Sequence, residues 1–382
     1  MTRYRGLDGL RGLAALAVFA VHYNQIVDID IQVGIFDFFL LFANGEYGVA
    51  LFFILSGLLL SQPFWQSLLH QQAWPNTKTY FTHRIVRILP TFYLALTLII
   101  VTTDYWKFPQ AWPDILLHYS LLFNYAEFSI FSLNPPFWTL AIEMQFYCLL
   151  PFLFRIIRSA KITRVFILLA MLSITAYILH YLISSSISTN ITWPGDQQLV
   201  WIRPYGAVVS HSLLAHLPLF IIGIISGGVL VIITEKMHGY EGSGNWRYDI
   251  IFGVCLSLCL LLLSTPFSES IQVPYGRYGL PLTPLLIAGL LISTPLTKYS
   301  VKVLDSKALK QLGAISYGVY LYHFPVLTLV YRQMAKLGLD AQQHWCYLAL
   351  FSLTITLLAA TISYYLIERP MIKFVHKKRA TT

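Results

Sequence analysis

Charge is what this 382-residue chain has least of: only 11% of its residues are Asp, Glu, Lys or Arg, against about 25% in an ordinary soluble domain. The deficit runs from end to end, so no soluble domain of useful size is expected. Cysteine is scarce as well. Cys148, Cys255, Cys259 and Cys346 all fall in apolar segments. Cys255 and Cys259 share a helix face, but no histidine or acid joins them, so neither a disulfide framework nor a metal site is expected. Strand periodicity is missing, and with it the alternating ten-residue runs of an outer-membrane barrel. There is no internal repeat and no low-complexity segment. The marks of a cleavable signal peptide are absent too: the apolar run after Arg3 and Arg5 contains Asp8 and Arg11, and no small-residue cleavage site follows.

What the chain has in abundance is apolar surface. Hydrophobic residues make up 57% of it, the mean hydropathy is +0.64, and runs of about 20 apolar residues recur, each long enough to cross a hydrocarbon core of about 30 Å. Ten segments read as membrane helices: Leu7–Val27, Tyr47–Phe64, Ile88–Thr103, Phe137–Ile157, Val165–Ser185, His211–Thr234, Ile250–Ser264, Gly279–Ser293, Lys310–Tyr331 and Trp345–Ile367. Ile115–Phe123 is too short to span and is expected in the interface. The fold class is therefore all-α, a polytopic bundle of about ten transmembrane helices. It forms one membrane domain over residues 1–370, followed by a basic tail over 371–382.

The net charge of +9 does not indicate nucleic acid, because the basic residues sit in short loops between apolar runs. Twenty lysines and arginines fall on one side of the ten-span topology, five fall on the other, and Arg11 lies within a span. By the positive-inside rule both termini are expected to be cytoplasmic, in the inner membrane.

A few polar groups interrupt the apolar runs. In the first helix, Arg11 and His22 are eleven residues apart. They lie on nearly the same side, about 16 Å apart along the axis. Asp8 sits one turn before Arg11 and can pair with it; the plain alternative is an interfacial anchor. In the third helix, Arg84 and Arg87 are one turn apart at the expected cytoplasmic start. There, two guanidiniums beside helix N-terminal amides suit a phosphate or pyrophosphate; the alternative is positive-inside anchoring. In the fourth helix, Glu143 must pair, protonate or do work. In the ninth, the run AISYGVYLYHFPV carries Tyr317, Tyr320, Tyr322 and His323. At about 1.5 Å per residue, His22, Glu143 and His323 all fall roughly 20–22 Å from the cytoplasm, whereas Arg11, Arg84 and Arg87 fall near the cytoplasmic boundary. The layering suggests a phosphate-bearing cytosolic ligand below and proton chemistry above.

These residues resemble the acyltransferase 3 family of membrane acyltransferases, which includes bacterial O-antigen and exopolysaccharide O-acetyltransferases. The likeness spans nearly the whole chain. LDGLRGLAALAVFAVHY matches the R-x10-H pattern through Arg11 and His22, FFILSGLLLS follows around Ser56 and Gly57, and RIVRILP matches R-x-x-R through Arg84 and Arg87. WTLAIEMQFYCLLP supplies Trp138, Glu143, Phe146, Tyr147 and Pro151, ISYGVYLYHFP supplies Ser316, Tyr317, Tyr320, His323 and Pro325, and IERP places Glu368, Arg369 and Pro370 after the last helix. Some members append a periplasmic SGNH-type domain, which is not expected in these 382 residues.

The resemblance implies transfer of an acyl group, usually acetyl from cytosolic acetyl-CoA, to a carbohydrate hydroxyl at the outer face. It implies His22 as the catalytic histidine, with Arg11, Arg84 and Arg87 holding the acyl-CoA. In the mechanism expected, His22 deprotonates the acceptor, Glu143 orients His22, and His323 or Tyr320 supports the oxyanion. A competing version acylates His22 first. No metal is required. The partners are an acyl-CoA and a glycan, and nucleic acid is not among them. Outer-loop Trp193, Trp201, Arg203, Tyr205, Tyr275, Arg277 and Tyr278 fit either glycan stacking or an interfacial aromatic belt. A transporter or glycan flippase is the alternative from another class, and it has no need of Arg84 and Arg87. Acceptor, acyl length and oligomeric state stay open.

Overall fold

The computed structural model describes residues 4–27, 31–109, 111–188, 204–236, 244–265 and 282–380. The outer-loop residues Trp193, Trp201, Arg203, Tyr275, Arg277 and Tyr278 lie outside these, as do the Tyr205 side chain and the first three residues of the span expected from Gly279.

The chain is an all-α polytopic membrane bundle. Its helices are α1 (Leu7–Asn24), α2 (Phe38–Ala43), α3 (Tyr47–His70), α4 (Thr77–Thr102), α5 (Ala111–Tyr119), α6 (Trp138–Ile157), α7 (Ile162–Ser188), α8 (Pro204–Ser210), α9 (Leu213–Lys236), α10 (Trp246–Leu263), α11 (Leu282–Ser293), α12 (Ser300–Leu304), α13 (Lys307–Lys336), α14 (Trp345–Ser363) and α15 (Arg369–Ala380). Among the described residues, eight helices are long and apolar enough to cross a membrane. The remaining two of the ten expected spans are α1, whose apolar run is diluted by Asp8, Arg11 and His22, and α11, which is short. The only strands among the described residues are Gln32–Val33 and Phe36–Asp37, an antiparallel hairpin before α2.

Three boundaries differ from the sequence expectation in ways that bear on the site. Helix α4 starts at Thr77 rather than Ile88, because the Asn76 side chain caps it by accepting the Thr79 N–H at 3.0 Å. Hydropathy registers only the apolar part of such a helix. Arg84 and Arg87 therefore stand inside the helix, with their own amides in its hydrogen-bonded interior, so anion recognition here falls to the guanidiniums. Helix α3 runs on through Pro63 to His70. At the other end of the chain, Glu368, Arg369 and Pro370 do not follow the last helix. Instead, α14 passes through a π-helical turn (Tyr364–Glu368) directly into α15. Pro370 lacks an N–H for the carbonyl four residues back, and a widened turn absorbs that loss.

Helix α1 lies inside the bundle, packed on α13 and α3, while α3 packs on α9 and α13 on α14. Close backbone approach requires glycine at the α1–α13 seam: a Cβ on Gly12 would come within 2.9 Å of the Gly313 nitrogen, and one on Gly313 would land on the Asp8 carbonyl oxygen. At the same end, Asp305 accepts the Gly6 N–H at 2.9 Å and pairs with Arg5 at 3.5 Å and Lys310 at 3.3 Å. Away from this seam, α5 is fastened by a buried carboxylate. Asp114, 1% exposed, accepts from Tyr105 at 2.6 Å, from the Ser129 hydroxyl, and from His118 Nδ1 at 3.1 Å.

Two outcomes follow from the α1–α13 seam. Gly313→Val should cost about 1–3 kcal/mol by overpacking, read as a lower Tm of the detergent-solubilised protein. The Asp305 clamp should make stability depend on pH. Burial alone would raise this carboxyl, but the Gly6 N–H, Lys310 and Arg5 outweigh it and hold it below the ordinary aspartate range. Its contribution is complete above that range and is lost as pH falls through the lower native value. Tm measured against pH should show this acid loss in the wild type and a flatter profile in Asp305→Asn.

Candidate functional site

Five helices converge on one cavity of about 780 Å³, counting its open side. Its polar lining is Arg11 from α1, Ser56 from α3, Arg84 and Arg87 from α4, Thr139, Glu143 and Tyr147 from α6, and Ser316, Tyr317 and Tyr320 from α13. Apolar side chains such as Phe52, Phe53, Leu55 and Ile88 complete the wall. The lone carboxylate of the lining is held on its own terms: Glu143 accepts from Ser56 Oγ at 2.8 Å and from the Tyr147 hydroxyl. Arg84 lies over the rings of Tyr80 and Tyr147, at 5.7 and 5.9 Å from their centroids, and its buried Nε has no hydrogen-bond acceptor. No ion pair among the described residues involves Arg11, Arg84 or Arg87. Three guanidiniums thus face one concavity with a single carboxylate among them. In a low-dielectric setting such a surplus of positive charge suits an anion.

The histidines form a second centre. The rings of His22 and His323 are 5.2 Å apart, and Phe324 packs edge-on to His22 at 5.2 Å. His323 is fully buried, and its Nδ1 faces the carbonyls of Tyr320 at 2.8 Å and Val319 at 3.2 Å. Carbonyls only accept, so Nδ1 carries the hydrogen, and Nε2, which has no hydrogen-bond partner, carries a lone pair. In this tautomer Nε2 offers an acceptor, and support of an oxyanion by His323 would need the ring doubly protonated. His22 Nδ1 lies 2.9 Å from Gln25 Oε1, and an amide oxygen likewise fixes the hydrogen on Nδ1, which puts the lone pair on Nε2.

The sequence layer of three ionisable groups therefore divides. His22 meets His323, whereas Glu143 faces the arginine cavity, whose lining does not include His22. The side chain that holds the His22 ring is Gln25, the residue that caps the C-terminus of α1, where Glu143 was expected. A polar residue at i+3 from an intramembrane histidine was the available signal. Tyr320 stands between the two centres. It lines the cavity, its ring is 5.8 Å from His323, and its hydroxyl is 2.7 Å from Pro136 O and 2.6 Å from Thr139 Oγ1. Asp8 lies outside the cavity, on the α1–α13 seam.

The cavity should bind a polyanion. Pyrophosphate is expected to raise the Tm of the purified protein, and Arg84→Ala or Arg87→Ala should each weaken its binding roughly 10- to 100-fold, the worth of a charge-assisted hydrogen bond.

Comparison with known proteins bears on the whole of this architecture. The sequence profile of the family described as "Acyltransferase domain" matches residues 4–365. The chain is 26% identical over 390 residues to the peptidoglycan O-acetyltransferase OatA of Listeria monocytogenes, covering 96% of this chain and 55% of that protein. It is 27% identical over 399 residues to the acyltransferase MdmB of Streptomyces mycarofaciens, covering 99% and 94%. Identity is 23% over 404 residues to the O-acetyltransferase OatA of Staphylococcus aureus, covering 96% and 57%. The chain thus spans about half the length of the OatA proteins and nearly all of MdmB. No solved structure matches it. With a family profile covering both the arginine cavity and the histidine pair, the chain belongs to the acyltransferase 3 family of membrane acyltransferases.

Proposed function

We propose that this protein moves an acyl group, acetyl in the first instance, from cytosolic acyl-CoA to a hydroxyl of a cell-surface carbohydrate. The observation that carries the reading is the cavity in which Arg11, Arg84 and Arg87 converge without ion-pair partners among the described residues, with the His22–His323 pair beyond Tyr320. Coenzyme A brings phosphates that suit the guanidiniums, and an extended arm that suits the distance of about 16 Å between the Arg11 and His22 levels. The relatives named as O-acetyltransferases support the acetyl group, and those named for peptidoglycan support a glycan acceptor. In this reading the protein sits in the inner membrane with both termini and the arginine mouth on the cytosolic side, in keeping with the lysine and arginine asymmetry of its loops.

The chemistry follows from the two histidines. The thioester is already activated, whereas a sugar hydroxyl is a weak nucleophile and needs a base as it attacks. His22 Nε2 takes the hydroxyl proton while the oxygen bonds to the thioester carbonyl carbon. The tetrahedral adduct collapses by breaking the C–S bond, and the proton passes from His22 to the thiolate, leaving ester and free thiol. Gln25 holds the His22 ring in the productive tautomer. Glu143, fixed by Ser56 and Tyr147, gives the cavity a negative pole that orients the arginines and limits how strongly they grip the donor. In the alternative order, His22 attacks the thioester first and becomes acylated. Rapid-quench labelling with radiolabelled acetyl-CoA alone separates the two routes, since only the second leaves label on His22.

The decisive assay is acetyl transfer, or acetyl-CoA turnover with a glycan acceptor, by purified protein in nanodiscs. His22→Ala should lower kcat by about 10²- to 10⁴-fold, the usual worth of a positioned general base, and full activity in that variant would remove the mechanism. Gln25→Leu should lower kcat less, with KM for acetyl-CoA unchanged. Transport of a glycan without any dependence on CoA would favour a flippase.

A further inference from the structure

Glu368 ends the π-helical turn between α14 and α15, and it is buried, at 4% exposure. Its Oε1 is enclosed and has no hydrogen-bond partner. The hydroxyls of Tyr317 and Tyr322 are committed elsewhere: Tyr317 donates to Ile88 O at 2.9 Å and Tyr322 to Ser363 Oγ at 3.1 Å. The π-turn packs on α4, the helix that carries Arg87. Yet no described ion pair or hydrogen bond joins Glu368 to Arg87, and Arg87 faces the cavity while Glu368 is not part of its lining. A buried carboxylate left without donors is costly. A guanidinium between that carboxylate and an anion-binding cavity can satisfy either side.

We propose that Glu368 is the standby counter-ion of Arg87, capturing its guanidinium when the cavity is empty and so competing with the phosphates of the bound coenzyme. The inference rests on the coenzyme A reading above. In its terms, Glu368 acts through Arg87 as a positioning residue that loosens the grip on spent coenzyme and speeds its release. Because the competent orientation of Arg87 is then only partly populated, apparent anion affinity is reduced by that fraction.

The test uses the full chain in nanodiscs, with coenzyme A and pyrophosphate as separate probes. Either neutral variant, Glu368→Gln or Glu368→Met, should bind coenzyme A about tenfold more tightly and show lower kcat with lower KM for acetyl-CoA. Glu368→Asp, which keeps the charge, should stay near wild type. In an Arg87→Ala background the neutral substitution should no longer tighten binding. A folded neutral variant with unchanged or weaker affinity for both probes overturns the proposal, and so does failure of both neutral variants to assemble, which would make the carboxylate a structural requirement. If wild type ignores coenzyme A but the neutral variants still tighten pyrophosphate, the competition stands and the coenzyme reading falls.

Discussion

A guanidinium carried into a membrane bundle has a burial cost that grows with depth, and this bundle brings three of them, Arg11, Arg84 and Arg87, to one cavity between its helices. That cost sets much of the architecture. The helices that carry the arginines cannot face lipid on those sides, so α1 runs inside the bundle and α4 turns its charged face toward α6 and α13. The polar residues around them, Ser56, Glu143, Tyr147 and Tyr317, each satisfy a neighbour in a setting where water is scarce. What distinguishes the arginines from the rest of this network is that no acid among the described residues is bonded to them.

Placing α1 inside has a steric consequence. It has to approach α13 closely enough for His22 and His323 to meet, and Gly12 and Gly313 permit this because neither has a side chain at the seam. The Asp305 clamp then ties the beginnings of the two helices together. The arginine cavity and the histidine pair are consequently two places along the same helices, divided by Tyr320.

Much of this was legible in the sequence. The ten apolar segments became ten helices, because a backbone in lipid must satisfy its own hydrogen bonds. The cavity arginines and the histidine pair were singled out as intramembrane polar residues. Helix starts were less legible: Asn76 extends α4 by polar turns that hydropathy does not register, and the π-turn at Tyr364–Glu368 turns what read as an end into a continuation. Gln25 went unnoticed because an amide near a helix end is unremarkable until its partner is seen. Glu368 was visible only as one letter of a motif.

The sequence by itself determined that this is a membrane helix bundle, which helices carry ionisable groups, and at what axial level of its helix each group stands, because axial rise depends only on local chain geometry. Only the tertiary structure decided which groups at a given depth meet. His22, Glu143 and His323 shared one layer on paper, but rotation of each helix about its axis is set by packing against neighbours, which axial counting cannot see. Packing turned His22 toward His323 and Glu143 toward the arginines, so that the polar pair of the first helix serves two different places: Arg11 in the anion cavity and His22 beside a second imidazole.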